Sequence, residues 1–394
     1  MAKTLNGIAL ASSSKASTLS LRTVWVLRLA LGLTALLGAI VFLEGSSWDI
    51  QWHSLIGRDR TLIPPHIMML IGVTISGLSG LLTVLIESLW ARRSEIIKKN
   101  STNFADIFYG PLGAYVVGFG ALLAAVAFPL DAYWHTLYGI DVRIWAPFHI
   151  MFAASMGIVA LGAVYMLVSA ARLTKQANQN EAITRRFAYT GAVVALGTML
   201  SIFTILLFDA LRAGNLLTLG FLRLSVFPLL SSVLIAFTLV AAVYAIPWRW
   251  AATSVAACYF LLAAIMAVFV QPATNWLLTV EQLSYRRATH PFTSLVALQW
   301  FITPIIVAIL IDVMMYQARQ KHWSQKKLTL GLALCALISG ALPIVPGSLL
   351  LPAVVLFQTG VAGFALSLLI GLGGSFLGTI FGRNVGESLR TLEG

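Results

Sequence analysis

Long apolar runs, parted by short charged breaks, follow one another along almost the whole chain. Reading the runs between breaks gives ten candidate helices at about 24–44, 64–90, 109–130, 146–171, 187–209, 223–246, 250–271, 291–316, 328–350 and 355–382. The hydrocarbon core of a bilayer is about 30 Å thick, and about 20 apolar residues in α-helix cross it. Inside it each backbone N–H and C=O must be paired within the segment, so runs of this length are helices. Segments of strand length with alternating polarity are absent, which argues against a barrel. Only 10% of the residues are charged, where a soluble domain has about 25%. The expected fold is all-α: a polytopic membrane helical bundle in contact with the lipid bilayer, with about ten transmembrane helices. The break at Pro343 and Pro346 carries no charge, so the last two runs also admit a re-entrant pair.

The formal net charge of +12 would suggest a nucleic-acid partner in a soluble chain. Here the cations sit in the breaks, and no nucleic-acid partner is expected. With the N-terminus in the cytoplasm, eighteen Lys and Arg fall on the cytoplasmic side and seven on the other. The positive-inside rule then places both termini in the cytoplasm, and the expected location is a prokaryotic plasma membrane. Residues 1–21 are basic and Ser/Ala-rich, and are expected to be a disordered cytoplasmic segment. The run that follows is long for the apolar part of a signal peptide and no clear A-x-A site follows it, so it reads as a retained helix. Arg28, about a turn into that run, reads as a side chain snorkelling to the interface, with a buried ion pair as the alternative. Cys258 and Cys335 lie in apolar runs and read as small buried hydrophobes.

Two outer loops resemble each other. One reads Trp48-Asp49-Ile50-Gln51-Trp52-His53, passes Gly57-Arg58-Asp59 and ends Pro64-Pro65-His66-Ile67-Met68. The other reads Asp131-Ala132-Tyr133-Trp134-His135, passes Gly139-Ile140-Asp141 and ends Pro147-Phe148-His149-Ile150-Met151. The two leading aspartates are 82 residues apart, and four of the six histidines lie in these loops. Each loop joins an odd run to the next even run, so both lie on the same side. This is an internal two-helix repeat, and it divides the chain into a duplicated hairpin region, 22–172, and a C-terminal helical region, 173–394.

Asp and His four apart share a face if the helix continues through them. Proline is tolerated in a helix's first turn, which puts His66 and His149 at the start of the even helices. Asp49, His53 and His66 would then converge, as would Asp131, His135 and His149. Two imidazoles and a carboxylate form a metal-ligand set with open positions, suited to copper(II), zinc or iron(II) alike. Met68 and Met151 could add a thioether for copper(I). Asp59 and Asp141 are candidates to orient a ligating imidazole from behind, or to pair with Arg58, Arg60 or Arg143. The tryptophans around them also fit an ordinary interfacial aromatic belt.

At these residues the sequence resembles the C subunit of the copper membrane monooxygenases, the particulate methane and ammonia monooxygenase family. That motif is similar to Asp49-Ile50-Gln51-Trp52-His53, Arg58-Asp59, Thr61 and Pro64-Pro65-His66, with twelve residues between the histidines. The resemblance implies that Asp49, His53 and His66 bind copper on the periplasmic side. It covers about residues 48–68 and more weakly 131–151, where one residue is added between the histidines and no Arg precedes Asp141. It implies a monooxygenase-like oxidoreductase subunit acting with other membrane subunits. The residues alone leave open a metal transporter or metal-delivery protein, and a haem-binding electron-transfer protein. No Walker motif or Ser-His-Asp set is present. Gly374, Gly378 and Gly382 form a GxxxGxxxG series that permits close helix packing, within the chain or between chains.

Overall fold

The computed structural model describes residues 21–57, 60–139, 143–176, 181–211, 215–288 and 290–391. The expected disorder of the N-terminal segment, and the positions of Asp59, Asp141 and Arg212, lie outside them. Twelve helices follow in order: α1 (Leu21–Leu55), α2 (Pro64–Ala91), α3 (Glu95–Lys99), α4 (Leu112–Tyr138), α5 (Pro147–Gln176), α6 (Ala182–Asp209), α7 (Phe227–Ala245), α8 (Ala251–Glu281), α9 (Leu295–Leu298), α10 (Thr303–Gln320), α11 (Gln325–Ala341) and α12 (Leu351–Thr391). Two small antiparallel hairpins lie in the connections, β1 (Thr102–Phe104) with β2 (Phe108–Gly110) and β3 (Leu216–Leu219) with β4 (Leu222–Ser225).

Eight of these helices are long and apolar enough to cross a membrane: α1, α2, α4, α5, α6, α7, α8 and α12. The other two expected spans become α10 and α11, of 18 and 17 residues, about 27 and 26 Å at 1.5 Å per residue. Backbone chemistry shortens them. Helix α8 takes ten more residues than expected, then the chain passes Pro291 and the short α9 before Pro304 opens α10. Pro343 and Pro346 hold 342–350 out of helix after α11. Helix α12 is broken at Gly360 (φ 69°, ψ 170°), a conformation few other residues adopt.

The repeat extends from the loops into the helix packing. Helix α1 lies on α2 and α5, while α4 lies on α5 and α2. Exchanging the two hairpins reproduces this set of neighbours, as a pseudo-twofold axis requires. The closest helix approaches are equivalent too. A Cβ on Gly38 would come within 2.5 Å of the Gly72 carbonyl, and one on Gly120 within 2.9 Å of the Ser155 carbonyl. Gly120 is 82 residues beyond Gly38, and Ser155 is 83 beyond Gly72.

One buried core runs through both regions, joining α1, α4 and α5 to α6, α7, α8, α10 and α11. The glycine series of α12 is used inside the chain: Gly374, Gly378 and Gly382 approach the backbone of α7 at Leu229, Val233 and Phe237. Arg28 does not snorkel. It is fully buried, and its Nε and Nη2 donate to Glu87 of α2 at 2.7 and 2.8 Å. Nη1 donates to Ser169 of α5 at 2.6 Å, and Nη2 also to the Asn100 carbonyl at 2.7 Å. The carboxylate on α2 and the acceptors around it satisfy the guanidinium inside the bundle. Cys335 is buried, Cys258 half-buried, and both are free thiols.

Candidate metal centres

Helix α1 has 35 residues, about 52 Å at 1.5 Å per residue, so its last turns can project beyond a hydrocarbon layer of about 30 Å. Those turns carry Asp49 and His53 on one face. Helix α4 likewise continues through Asp131 and His135 to Tyr138, past Pro129. Both helices end on a glycine with positive φ, Gly57 at 67° and Gly139 at 80°. The Gly57 N–H reaches the Trp52 carbonyl and the Gly139 N–H the His135 carbonyl, a left-handed stop that turns the chain back. Pro64 and Pro147 then open α2 and α5, and the first turn of each presents its histidine.

The two sets of three converge as the spacing predicts. Asp49 Oδ1 lies 3.3 Å from His53 Nε2 and 2.9 Å from His66 Nε2. Asp131 Oδ2 lies 3.4 Å from His135 Nε2, and its Oδ1 lies 3.4 Å from His149 Nε2. Within each set the three potential ligand atoms are within 4.8 Å of one another. The imidazole pairs repeat the same arrangement, with ring centroids 5.8 Å apart in both and planes tilted 38° and 45°.

The other ring nitrogens state what these sites want. His66 Nδ1 is 3.1 Å from the Thr61 carbonyl, His135 Nδ1 3.1 Å from that of Gly139, and His149 Nδ1 2.9 Å from that of Arg143. A carbonyl only accepts, so each Nδ1 carries the proton, and in a neutral ring Nε2 then presents a lone pair. That lone pair faces a carboxylate oxygen, which also only accepts. Two acceptors 2.9–3.4 Å apart repel unless a proton or a metal ion lies between them. Bonds of about 2.1 Å to a metal separate neighbouring ligand atoms by about 3.0 Å at right angles and about 3.4 Å at tetrahedral angles. The donor set therefore fits a transition-metal ion, with the backbone carbonyls fixing the ligating tautomer. The residue added in the second loop falls between its carbonyl acceptor and its histidine, six residues apart there and five in the first, so it leaves the ligands in place.

The two sets are neighbours. Asp49 and His53 of the first line a cavity of about 80 Å³ together with His149 of the second, and Phe42, Phe152, Ile202 and Ile205 wall it. A second cleft of about 240 Å³ joins His66 to Asp131 and His135. This is the same pairing with the copies exchanged, but it is polar and open where the first is apolar. The ring of Phe128 stands edge-on to His66 with centroids 6.0 Å apart, and Phe152 connects it to Phe42.

Several neighbours are not evident from motif spacing. The backbone N–H of Arg286, in the loop after α8, donates to the Leu55 carbonyl at 3.0 Å and its Nη2 to the Gly57 carbonyl at 2.9 Å, clamping the end of α1. Arg60 pairs with Glu281. Gln51, on the far side of α1, donates to Gln271 of α8 at 2.7 Å and accepts from the Leu295 N–H at 2.9 Å. Glu44 is buried, and neither carboxyl oxygen has a hydrogen-bond partner; its one sequence signal is an acid at the end of an apolar run. Asp312 accepts from the backbone N–H groups of Ala252 and Thr253 and from the Thr253 hydroxyl, capping the first turn of α8. The thioether positions of Met68 and Met151 pack against the core.

Fold and site together define an integral membrane helical bundle with two pseudo-symmetric Asp/His/His groups at one end. Comparison with family models, curated proteins and solved structures gives no match.

Proposed function

We propose that the protein binds a transition metal at two sites, Asp49/His53/His66 and Asp131/His135/His149, and serves as an oxidoreductase subunit similar to the C subunit of copper membrane monooxygenases. The observation that carries this reading is the convergence, repeated in both hairpins, of two imidazole Nε2 atoms and a carboxylate oxygen on a common point, an arrangement that one shared metal ion satisfies. The order and spacing of residues 48–68 favour copper; the donor set also accepts zinc or iron. A bound ion with open coordination positions would supply Lewis-acid or one-electron chemistry. The chain's own residues would hold the three ligands from two helices, fix the tautomers of His66, His135 and His149 through backbone carbonyls, and place an apolar cavity beside Asp49, His53 and His149. Its wall of Phe42, Phe152, Ile202 and Ile205 suits a small apolar reactant. Other membrane subunits complete the activity in this reading. The carboxylates lie directly beside both imidazole nitrogens, where a porphyrin ring would have to pass, which favours a bare ion over haem.

Elemental analysis of purified protein, wild type beside His53→Ala/His135→Ala, tests the assignment. Two metal ions per wild-type chain and none in the variant are expected; equal content sinks it. Uptake of metal into sealed vesicles that depends on His53 and His135 would assign the sites to transport instead.

A further inference from the structure

Glu44 is 4% exposed, and neither of its carboxyl oxygens has a hydrogen-bond partner among the described residues. Glu44, Ser47, Trp48 and Gln51 stand three and four residues apart and share one face of α1. That face packs on α8 and α9, opposite the face that carries His53 to the apolar cavity. Among the described residues no charge acts on the Glu44 carboxyl. The charged groups of α1 and of the helices packed on it are engaged elsewhere or stand at helix ends. Arg28 is paired with Glu87 of α2. Asp49, His53, His66 of α2 and His149 of α5 belong to the two candidate metal centres. Arg22, Arg172, Lys175, Arg185, Arg186 and the residues of α3 lie at the opposite end, and Asp209 closes α6. On α8, Glu281 pairs with Arg60 and the Tyr259 hydroxyl donates to the Phe301 carbonyl; α9 has no titratable side chain.

The same face of α1 opens a hydrogen-bonded lane to the outer end. The Ser47 and Ser294 hydroxyls are 3.2 Å apart. Gln51 accepts from the Leu295 N–H at 2.9 Å and donates to Gln271 at 2.7 Å. Gln271 donates to the Tyr285 hydroxyl at 2.8 Å, which donates to Asn275 at 2.6 Å, and Asn275 is exposed. Trp48 adds a buried indole N–H that has no acceptor among the described residues. Duplication did not supply this lane. At the positions 82 residues on, Val126, Leu130 and Tyr133 replace Glu44, Trp48 and Gln51, and all three are exposed. The acid occurs in the copy that packs on α8.

An ionised carboxylate buried without counter-charge or hydrogen bond is strongly disfavoured, so such a group carries a proton. An acid enclosed by apolar side chains alone would keep that proton permanently. Glu44 is placed otherwise. The Ser47 hydroxyl and the Trp48 N–H, three and four residues along its own face, are donors on which the ionised form can draw. We infer that Glu44 is a proton-exchange site inside the bundle, whose O–H proton passes to and returns from the outer solvent along Ser47, Gln51, Gln271 and Tyr285. The inference does not depend on either metal centre being filled.

Infrared difference spectra of the metal-free, full-length protein in detergent read the C=O stretch of a protonated carboxyl. At neutral pH the wild type should show such a band, which shifts on transfer to D2O and is missing from Glu44→Gln. Tyr285→Phe removes one hydroxyl from the outer end of the lane and should slow the D2O shift about tenfold, the worth of one hydrogen bond; this arm decides even where Glu44→Gln does not fold. Tyr165→Phe, whose hydroxyl meets Ser388 toward the other end of the bundle, should leave the rate unchanged. A wild type without the band, a band that persists in Glu44→Gln, or equal rates in the two tyrosine variants would overturn the inference.

Discussion

Asp131→Asn separates a metal site from an ordinary ion pair, because the two predict opposite signs for stability. Asparagine keeps the shape and one neutral oxygen, and loses the charge. A divalent ion and one carboxylate about 2.1 Å away attract by about 4 kcal/mol even at the dielectric constant of water. Losing that attraction lowers affinity about 10³-fold. The side chain is only 14% exposed, so solvent screens little of it. In metal-free protein the change acts the other way. His135 and His149 each donate through Nδ1 to a carbonyl, so in a neutral ring Nε2 turns a lone pair on the carboxylate. An amide N–H can donate to one such Nε2, which stabilises the folded state by up to about 1 kcal/mol. The assay is chelator competition for affinity and stoichiometry, with melting curves of metal-free and metal-loaded protein in detergent. The expected result is one tightly held ion where the wild type holds two, and a metal-free melting temperature equal to or above wild type. A variant that still holds two ions tightly, or that loses metal-free stability without losing affinity, refutes the reasoning.

Arg28→Met leaves Glu87 as an unpaired charge in the interior and should cost about 3–5 kcal/mol, most of it recovered in Arg28→Met/Glu87→Met; denaturation in detergent reads both. Gly57→Ala should lower the melting temperature: positive φ costs an added side chain about 1–2 kcal/mol, and its Cβ meets the Arg286 guanidinium, which must then leave the Gly57 carbonyl. An unchanged melting temperature would count against the Arg286 clamp. Gly378→Leu drives a side chain into the Val233 carbonyl, 2.4 Å from the added Cβ, and should cost about 1–3 kcal/mol or more. Gly373→Leu on the same helix meets nothing within 4 Å and should stay within about 0.5 kcal/mol.

The hairpin repeat and the grouping of its two aspartates and four histidines are legible in the sequence because they obey local rules: Asp and His four apart on a helix, proline opening the next one, glycine closing the last. Such rules fix where a side chain stands on its own element. They say nothing of partners distant in the chain, and the misread residues are of that kind. Arg28 looked like a snorkelling cation because Glu87, 59 positions away, is invisible from its neighbourhood. Spans 291–316 and 328–350 came out too long because an apolar run records lipid compatibility, while proline and the long reach of α8 decide where the backbone stays helical. The glycine series of α12 announced close packing, but only the fold names α7 as its partner.

The same limit explains why two similar loops produce unlike sites. Duplication supplies equal ligands and equal helix registers, and both hairpins keep them. The C-terminal helices then meet the two copies differently, α8 lying on α1 and α6 chiefly on α5. Around the first set, Trp52 is buried, Arg286 clamps the end of α1 and Arg60 pairs with Glu281 of α8. Around the second, Trp134 stacks only on its own hairpin, against Tyr138 and Phe148, and Tyr133, Leu137 and Tyr138 face outward. The cavity between Asp49 and His149 is accordingly the more apolar of the two, and its counterpart between His66 and Asp131 the more polar. Each opening takes residues from both sets, Asp49, His53 and His149 on the apolar side and His66, Asp131 and His135 on the polar side. The difference between the two openings therefore rests on α6, whose Ile202 and Ile205 wall the first, an element outside the repeat.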